Sequence, residues 1–453
     1  MSNLIASDSY NVVLGLGATG LSVARYYAAK KKKFVVIDTR KQPPGLAELN
    51  KIDAGISVVC GEITSATEQL LLDADEIVVS PGLDRRSGYI QRAIKNAVSV
   101  IGDVELFLRE VRVPVVGITG SNGKTTVTTL VTEVAMNAGI KACAAGNIGL
   151  PVLDALQLNA ELYVLELSSF QLESTSQANL AVACVLNVSE DHMDRYNGFS
   201  EYVMAKQRIY HGAKSVVYNL QDKLTQPPIV KGVERRGFAL RPCAEQYETQ
   251  YVFSESSKQL LVEHEILDSI TNFKIFGRHN IANILAVFAI SDALGIERSN
   301  VKKVVANFTG LAHRCEWVTK LADITFINDS KATNVGAAVA AISGLCADFK
   351  HIVLVAGGEG KGADFSELGK WINERVAVLV LLGKDKEEIK KHVDTAVSVF
   401  TVNSMQEAVL VAYKNAVTGS LVLLSPACAS FDMFTGYEDR GSQFVTSVKG
   451  LAA

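Results

Sequence analysis

One stretch, GITGSNGKTT at residues 117–126, constrains the fold of this chain more than any other. An apolar run from Val113 to Ile118 precedes the loop, and apolar residues at helical spacing follow it until Gly139. A strand, a loop of small residues and a helix in this order present backbone N–H groups and a positive helix end to phosphate. The stretch therefore predicts a nucleoside triphosphate site, in which Lys124 adds a charge and Thr125 can bind Mg²⁺.

The loop departs from the general phosphate-loop consensus, which has a glycine five residues before Gly123. This chain has Ile118 there and carries Gly120 inside the loop. A chance match in a surface loop is the simpler alternative, but the complete strand, loop and helix context disfavours it. The tetrapeptide NKID at residues 50–53 mimics a guanine-reading motif, yet it precedes the loop within a helical stretch, which favours chance.

Strand-like apolar runs alternate with helical patterns along all 453 residues, which is typical of α/β folds with parallel sheets wrapped by helices. A chain of this length is too long for a single core. We predict three domains at residues 1–104, 105–310 and 311–453. The polar, weakly patterned sequence from Leu220 to Phe276 predicts antiparallel hairpins within the second domain.

The composition is that of an ordinary globular protein, with 48% hydrophobic and 21% charged residues and a formal net charge of −3. This charge gives no general attraction to nucleic acid, which is not expected as a partner. Seven cysteines without CxxC pairs predict reduced thiols and neither zinc nor disulfides. No signal segment and no run of about 18 apolar residues occurs, so we expect a cytoplasmic monomer without a membrane span.

A second glycine-rich motif, GLGATGLS at residues 15–22, lies between a predicted strand and a helix near the N-terminus. Gly15, Gly17 and Gly20 have the spacing of a dinucleotide fingerprint, and Asp38 ends the next strand. The pattern indicates that a diphosphate fits at this helix end. An NAD site, a nucleotide-diphosphate sugar site and a purely structural turn all remain open.

Three further residues of the second domain are candidates of different strength. Glu166 ends the apolar run YVLE, where a carboxylate one strand from the phosphate loop can reach Mg²⁺, although a solvated strand end is the alternative. His192 and Lys206 are unspecific alone, because a single histidine is usually packed or exposed and a helical lysine usually solvated.

Polar or glycine-rich loops follow three predicted strands of the last domain. They are NDSKATN at residues 328–334, AGGEGKGADF at 356–365 and LSPACASFDMF at 424–434. Because the carboxyl ends of parallel strands face the ligand crevice of an open sheet, the three loops together predict a second substrate site.

These motifs, in this order along the whole chain, resemble the Mur ligase family of ATP-driven amide ligases, whose form of the phosphate loop is TGSNGKTT. The resemblance implies a Rossmann-like N-terminal domain that binds a UDP-linked substrate, a central phosphate-loop ATPase domain and a Rossmann-like C-terminal domain that binds an amino acid. NDSKATN and LLSPACAS are most similar to members that add D-glutamate to UDP-N-acetylmuramoyl-L-alanine through an acyl phosphate, in peptidoglycan precursor synthesis.

The resemblance also implies which residues contact each ligand. For the UDP substrate they are Gly15, Leu16, Gly17, Ala18, Thr19, Gly20, Asp38, Thr39, Ser80, Pro81, Gly82, Asn147, Ser168 and Gln171. For ATP they are Gly120, Ser121, Asn122, Gly123, Lys124, Thr125, Thr126, Asn280, Asn283, Arg314 and Asp329. For D-glutamate they are Thr333, Lys361, Ser430 and Tyr437, and the implied catalytic residues are Lys124, His192, Lys206 and Lys331.

Two Mg²⁺ ions are implied, with Thr125, Glu166, His192 and Lys206 as ligands. An ammonium has no lone pair, so Lys206 can serve a metal only if it is modified, and the resemblance implies a carbamylated lysine. The Lys361 cation suits a dicarboxylate substrate. Tyr437 stands where the family has phenylalanine, which keeps the ring and adds a hydroxyl.

Three alternative functions compete with this hypothesis. A folylpolyglutamate synthase also adds glutamate with ATP, but it lacks the N-terminal UDP domain. An NAD-dependent oxidoreductase explains the first motif and leaves the phosphate loop unused. A regulatory ATPase explains the phosphate loop and leaves the first domain unused.

Overall fold

The computed structural model describes residues 9–176, 178–189, 195–243, 249–263, 265–274 and 277–452. The chain forms two compact units. The first runs to Asp268 and includes Ala282–Val304, and the second comprises Ser269–Ile281 and the chain from Val305 onward. Three β-sheets with helices around them confirm the predicted α/β class.

The first sheet has five parallel strands in the order β3-β2-β1-β4-β5. Its strands are β1 (Asn11–Leu14), β2 (Phe34–Asp38), β3 (Ser57–Cys60), β4 (Glu76–Val79) and β5 (Ser99–Ile101). Its helices are α1 (Ala18–Ala29), α2 (Leu46–Ile52), α3 (Ser65–Leu72), α4 (Gly88–Lys95) and α5 (Asp103–Glu110). The strand order reverses between β1 and β4, which is where ligands bind in open sheets of this kind.

The central sheet has nine strands in the order β14-β13-β12-β11-β10-β9-β6-β8-β7. They are β6 (Val115–Thr119), β7 (Ala142–Gly146), β8 (Leu162–Glu166), β9 (Val182–Val185), β10 (Ser215–Asn219), β11 (Glu234–Ala239), β12 (Thr249–Ser254), β13 (Gln259–Val262) and β14 (Glu265–Ser269). The α-helices of this part of the chain are α6 (Lys124–Asn137), α7 (Val152–Ala155), α8 (Ser169–Glu173), α9 (Phe199–Gln207), α10 (Arg278–Ala293) and α11 (Arg298–Asn307). Four 3₁₀ turns accompany them, at Leu156–Leu158, Arg208–Tyr210, Lys223–Thr225 and Ile270–Asn272.

The prediction of antiparallel hairpins between Leu220 and Phe276 was confirmed for the hairpin of β12 and β13 and was wrong for β11. Strands β12 and β13 pair antiparallel, whereas β11 pairs in parallel with both β10 and β12. Residues 220–233 are long enough to return the chain to the start of the next strand, which parallel pairing requires. Strand β11 therefore extends the parallel part of the central sheet as far as β12, where antiparallel pairing begins.

Helices α1, α5 and α7 and strand β8 contribute to one buried apolar cluster of the first unit. Within this cluster the rings of Phe107 and Tyr163 meet edge to face, with centroids 5.2 Å apart. Such aromatic contacts add to the free energy gained from apolar burial. Shared packing of this kind fixes the loops of the first and central sheets within one unit.

The third sheet belongs to the second unit and has the order β15-β16-β20-β17-β18-β19, in which only the β15–β16 pair is antiparallel. Its strands are β15 (Glu316–Leu321), β16 (Ile324–Asn328), β17 (Ile352–Ala356), β18 (Val376–Leu381), β19 (Ser398–Thr401) and β20 (Leu421–Leu424). Its helices are α12 (Val335–Leu345), α13 (Ser366–Arg375), α14 (Lys386–Lys390), α15 (Met405–Asn415) and α16 (Tyr437–Lys449), followed by a 3₁₀ turn at Gly450–Ala452. Buried side chains cover both faces of this sheet.

Candidate active site

The first glycine loop joins β1 to α1 where the order of the first sheet reverses. Gly15, Leu16 and Gly17 form the turn, and Ala18, Thr19 and Gly20 begin α1. Gly15 has a φ of +96°, which favours glycine, and a Cβ on Gly20 would lie 1.8 Å from the Gly15 carbonyl oxygen. Among the described residues no side chain caps α1, so its first N–H groups are available to an oxyanion.

Asp38 ends β2 beside this loop, and its buried carboxylate is fully engaged. It accepts the Leu16 N–H at 2.6 Å, and Arg40 donates its backbone N–H at 2.8 Å and its guanidinium at 2.7 and 2.9 Å. Burial alone would raise the pKa of Asp38, but the Arg40 guanidinium and the backbone N–H groups hold that pKa below its usual value. Asp38 therefore fixes the glycine loop, and Thr39 follows it directly.

The loop after β4 lies against the first glycine loop. The Ser80 N–H donates to the Leu14 carbonyl at 2.9 Å, and the Ser80 hydroxyl donates to the Gly15 carbonyl at 3.0 Å. Pro81 and Gly82 continue this turn. The structure thus brings residues 15–20 and 80–82 together at one edge of the first sheet.

The second glycine loop joins β6 to α6 and turns at two glycines. Gly120 has a φ of +151° and Gly123 a φ of +83°. Ile118, which stands where the general consensus has glycine, is buried within β6 and pairs with Glu166 of β8. The strand therefore continues through residue 118, and the backbone first needs glycine at residue 120. Ser121 and Asn122 complete the loop, and Lys124, Thr125 and Thr126 begin α6.

Asn187, which the sequence analysis missed, braces this phosphate loop. Its side chain accepts the Asn122 N–H at 2.8 Å and donates to the Asn122 carbonyl at 3.0 Å, while its own carbonyl accepts the Ser121 N–H at 2.9 Å. Tyr202 of α9 adds a hydroxyl contact to Ser121 at 3.1 Å. The feature that could have identified Asn187 is its position two residues after β9, because β9 is the neighbour of β6 in the sheet.

Two lysine ammonium groups converge on the phosphate loop. Lys124 donates to the Gly120 and Ser121 carbonyls, each at 2.9 Å, and Lys206 of α9 donates to the same Gly120 carbonyl at 2.9 Å. The side chain of Lys206 is buried, and its Nζ lies 4.5 Å from the centroid of the Tyr202 ring. The structure thus brings Lys206 to the phosphate loop, whereas His192 lies outside the described residues.

Glu166 ends β8, one strand from the phosphate loop, and is 2% exposed. Asn147, after β7, donates its side-chain amide to Glu166 Oε1 at 2.7 Å and its N–H to the Glu166 carbonyl at 2.8 Å. Glu166 Oε2 is buried and has no hydrogen-bond partner among the described residues. A buried carboxylate oxygen without a donor is costly unless a cation meets it, which suits a metal ligand.

No cluster of three or more His, Cys, Asp or Glu side chains that could hold a metal occurs in the part of the chain that the structure describes. Mg²⁺ does not need such a cluster, since it commonly takes one or two protein oxygens and completes its shell with phosphates and water. The Glu166 carboxylate and the Thr125 hydroxyl are oxygen donors of that kind.

Ser168 and Gln171 form the capping box that begins α8. The Ser168 hydroxyl accepts the Gln171 N–H at 3.2 Å, and Gln171 Oε1 accepts the Ser168 N–H at 3.0 Å. Gln171 is buried, so these two predicted substrate contacts have an evident structural task.

Asn283 of α10 lies against the phosphate loop. A Cβ on Gly123 would lie 2.4 Å from Asn283 Oδ1, so only glycine allows this approach. Asn280 lies one turn earlier on α10, and its N–H donates to the Gly277 carbonyl at 3.0 Å. The structure thus brings Asn283 to the loop that is predicted to hold ATP.

In the second unit, the three motif loops follow β16, β17 and β20, which are neighbours in the sheet. Asp329, directly after β16, is buried and accepts from the Ser425 hydroxyl at 2.9 Å and the Cys315 N–H at 3.1 Å. Burial raises the pKa of Asp329 to about 6, although these donors and Arg314 oppose the rise. The carboxylate therefore links the first and third motif loops.

Lys331 of the first motif loop meets Tyr437 at the start of α16. The Lys331 ammonium lies 3.7 Å from the centroid of the Tyr437 ring, and the Tyr437 carbonyl accepts the Ser330 hydroxyl at 2.8 Å. The ring at residue 437 thus serves as a cation–π partner, which phenylalanine can also provide. The neighbouring Glu438 carboxylate raises the pKa of the added phenol.

The remaining residues predicted to bind D-glutamate lie in these same loops. Thr333 donates its N–H to the Lys331 carbonyl at 2.8 Å, and Ser430 is buried. Lys361 has a φ of +52°, and its ammonium lies 5.9 Å from the centroid of the exposed Phe431 ring. The three motif loops that carry these residues therefore lie at the carboxyl ends of adjacent strands.

Arg440 of α16, also missed by the sequence analysis, ties the first and third motif loops together. It is 1% exposed and donates to the Ser330 hydroxyl and carbonyl at 3.0 and 2.8 Å and to the Cys428 carbonyl at 3.0 Å. Burial lowers the pKa of its guanidinium to about 10. Nothing in the helical sequence around Arg440 distinguishes it from a solvated charge.

Family models match three successive parts of the chain. They are described as "Mur ligase MurD-like, N-terminal domain" at residues 9–102, "Mur ligase middle domain" at 118–291 and "Mur ligase, glutamate ligase domain" at 313–428. No helix among the described residues is long and apolar enough to cross a membrane.

Relatives that match over the full length are named UDP-N-acetylmuramoylalanine–D-glutamate ligase. The protein from Teredinibacter turnerae is 59% identical over 451 residues, with 100% of both chains covered. The protein from Saccharophagus degradans is 50% identical over 459 residues, with 100% of both covered. The protein from Pseudomonas aeruginosa is 45% identical over 452 residues, covering 99% of this chain and 100% of its own.

Solved structures share the fold at low sequence identity. A UDP-N-acetylmuramoyl-L-alanyl-D-glutamate–2,6-diaminopimelate ligase matches with a TM-score of 0.60 at 15% identity, covering 100% of this chain and 95% of its own. A pseudomurein peptide ligase type C from Methanothermus fervidus matches with a TM-score of 0.54 at 19% identity, covering 98% and 100%. These similarities concern the fold alone.

Proposed function

The chain belongs to the Mur ligase family, and from that premise we propose that it is the ATP-dependent ligase that adds D-glutamate to UDP-N-acetylmuramoyl-L-alanine. One observation carries the substrate assignment, namely identity of up to 59% over the full length of ligases with this name. The MurD-like N-terminal domain at residues 9–102 argues against a folylpolyglutamate synthase, which lacks it. The product is a peptidoglycan precursor.

The proposed reaction has two steps, because a carboxylate is a poor electrophile. The carboxylate of UDP-N-acetylmuramoyl-L-alanine first attacks the γ-phosphorus of ATP, which gives an acyl phosphate and ADP. The D-glutamate amine then attacks the acyl carbon, and the tetrahedral intermediate expels phosphate as the nitrogen loses a proton. One amide forms for each ATP consumed.

The phosphate loop would bind the ATP phosphates through its backbone N–H groups and the amino end of α6. Lys124 would neutralise charge on the moving phosphoryl group, since its Nζ already lies over the Gly120 and Ser121 carbonyls. Asn283 would contact ATP, and its close approach to Gly123 supports this role. For Asn280, Arg314 and Asp329 the role in ATP binding rests on the family resemblance.

Mg²⁺ fits the buried Glu166 Oε2 and the Thr125 hydroxyl, and when bound it would screen charge between the ATP phosphates. Asn147 would hold Glu166 in position through Oε1, which leaves Oε2 for the cation. A second ion at His192 and Lys206 rests on the family resemblance.

We propose that Lys206 acts as a carbamate, formed when its neutral amine adds to carbon dioxide and loses a proton. A carbamate keeps one N–H, so the bond to the Gly120 carbonyl can persist, and its two oxygens would be available to hold a metal ion. Removing carbon dioxide should lower the rate of ADP release, and bicarbonate should restore it. Rates that stay constant through this cycle contradict the carbamate, and a Lys206→Gln variant that still responds to bicarbonate would show that the effect lies elsewhere.

The first glycine loop would hold the substrate diphosphate, with residues 80–82 closing over the nucleotide. Asp38 accepts a hydrogen bond from the backbone of this loop, so its contribution to uracil binding would be indirect. The muramoyl end of the site would be formed by Asn147, Ser168 and Gln171.

The D-glutamate site would be formed by Lys331, Thr333, Lys361, Ser430 and Tyr437. Its cations would distinguish a dicarboxylate from neutral amino acids. Because ATP and UDP-sugars are cytoplasmic metabolites, we place the reaction in the cytoplasm, and we expect a monomer.

The decisive experiment measures ADP release with UDP-N-acetylmuramoyl-L-alanine and Mg²⁺, in parallel with D-glutamate, L-glutamate, L-alanine, L-lysine or meso-diaminopimelate. We expect turnover with D-glutamate alone and none when the UDP substrate is omitted. ADP release without any amino acid would indicate a regulatory ATPase instead. Turnover only with an amino acid other than D-glutamate would overturn the assignment.

A further inference from the structure

A cavity of about 540 Å³ lies in the first unit, between the chain that follows the Ser80 turn and helices α8 and α9. Three guanidinium groups, from Arg85, Arg86 and Arg208, line it together with the His211 imidazole. The proposed reaction uses none of these side chains. A volume of this size accommodates a small-molecule ligand.

Two of these guanidinium groups are held by carbonyl oxygens and not by carboxylates. Arg208 donates to the Leu172 and Thr175 carbonyls at 2.9 and 2.8 Å, and Arg85 donates to the Glu173 carbonyl. Among the described residues neither guanidinium forms an ion pair. Burial and the nearby Arg208 charge lower the pKa of Arg85, which indicates that the two cations repel each other.

Arg86, in the same cavity, is paired with two carboxylates. It pairs with Asp84 at 2.9 Å and with Glu201 at 3.3 Å, while its Nη2 is buried without a hydrogen-bond partner among the described residues. Glu173 also lines the cavity, but burial raises its pKa despite the surrounding arginines, so it is a weaker counter-charge than a solvated carboxylate. The cavity therefore contains two guanidinium groups, those of Arg85 and Arg208, that pair with no carboxylate among the described residues.

The cavity and the phosphate loop contact different faces of α9. Glu201, Met204 and Ala205 face the cavity, whereas Tyr202 and Lys206 face the phosphate loop. At 3.6 residues per turn these two sets lie on different faces of the helix. A ligand in the cavity would thus be separate from ATP.

We propose that this cavity binds a phosphate-class oxyanion, either a compact one such as pyrophosphate or the phosphoryl group of a phosphorylated metabolite. Paired guanidinium groups provide the planar, multidentate donors that phosphate oxygens accept. Binding would relieve the repulsion between Arg85 and Arg208. The proposal does not depend on the identity of the ligase substrates.

Met204 gives a matched pair of variants for the test, because its side chain is 61% exposed at the cavity wall and has no structural hydrogen bond. Met204→Glu adds a negative charge, and Met204→Gln adds a neutral side chain of the same shape. Isothermal titration of the full chain with pyrophosphate should show binding to the wild type and to Met204→Gln within twofold of each other. Met204→Glu should bind about tenfold more weakly through charge repulsion.

Both variants keep the phosphate loop, so any pyrophosphate bound there contributes equally and cancels in their comparison. Arg85→Gln should also weaken binding about tenfold, with circular dichroism used to verify that it folds. A parallel titration with glucose 1-phosphate identifies the source, since tighter binding than that of pyrophosphate would favour a phosphorylated metabolite. Equal affinities of Met204→Glu and Met204→Gln, or no binding of either probe to the wild type, would overturn the proposal, whatever the ligase assay shows.

Discussion

Two glycine-rich loops of the first unit both connect a strand to a helix, yet they are built differently. In the loop at residues 15–20, Gly20 packs on the Gly15 carbonyl, and the side chains of Asp38 and Ser80 hydrogen-bond to the loop backbone. In the phosphate loop, Lys124 and Lys206 both reach the Gly120 carbonyl. The first design suits a diphosphate that stays unchanged, and the second suits a phosphoryl group whose charge moves during reaction.

The largest expected effect comes from removing the cation of the phosphate loop. Lys124→Gln should lower kcat about 10³-fold, because it removes the positive charge that we propose stabilises the transferring phosphoryl group. Steady-state ADP release measures the loss. Affinity for UDP-N-acetylmuramoyl-L-alanine, measured by titration calorimetry, should stay within twofold of the wild type.

A lysine outside the phosphate loop provides the control for the effects of Lys124→Gln on kcat and on affinity for the UDP substrate. Lys141→Gln changes a lysine outside the loop and should leave both kcat and substrate affinity unchanged. If Lys124→Gln instead weakened binding of the UDP substrate as much as it lowered kcat, the two loops would not have separate tasks.

The carboxylate beside the phosphate loop gives the next largest effect. Glu166→Gln keeps an oxygen for the Asn147 amide but removes the negative charge at the buried Oε2, so kcat should fall about 10²-fold. The Mg²⁺ concentration that gives half-maximal ADP release should rise. Glu161→Gln is the matched control at an exposed carboxylate before β8, and an unchanged Mg²⁺ requirement in Glu166→Gln would exclude the metal role.

Strand and loop positions were predictable from the sequence where apolar runs meet glycine. The apolar run at residues 113–118 contains most of β6, the run YVLE ends β8 at Glu166, and the predicted stop at Gly139 lies just past the end of α6, where its φ is +84°. The short strands β3 and β7, with the sequences SVVC and ACAAG, offer little pattern of this kind. Element type thus followed from local pattern wherever the run was long and apolar enough.

The residues that hold the motif loops in place could not be predicted from local sequence patterns. Asn187 and Arg440 act through contacts to residues far away in sequence, at Asn122 and Ser330, which only the folded chain brings near. Parallel pairing of β11 was likewise decided by the neighbouring strands and not by its own polar sequence. The loops formed by contiguous motifs were therefore predictable, whereas the distant residues that hold these loops in place were not.

Two substitutions in the first glycine loop should have smaller effects, and together they distinguish a packing role of a glycine from a role in ligand contact. Gly20→Ala would put a Cβ 1.8 Å from the Gly15 carbonyl, so the backbone must shift and the free energy of unfolding should fall by about 2 kcal/mol. A Cβ at Gly17 would meet no atom within 4 Å beyond its chain neighbours, so Gly17→Ala should leave urea unfolding unchanged while weakening binding of the UDP substrate. Equal losses of stability in both variants would contradict this division.

The smallest expected effect concerns the brace of the phosphate loop. Asn187→Ala removes two side-chain hydrogen bonds to Asn122, at 2.8 and 3.0 Å, and leaves the backbone bond to Ser121 in place. If loss of these bonds weakens ATP binding by about 1 kcal/mol, ATP affinity should fall roughly fivefold. Titration with ATP should detect this change, while affinity for the UDP substrate at the first loop stays constant. Because Lys124 and Glu166 remain, kcat at saturating ATP should change less than twofold, and a larger fall in kcat would mean that loop order contributes to phosphoryl transfer as well as to binding.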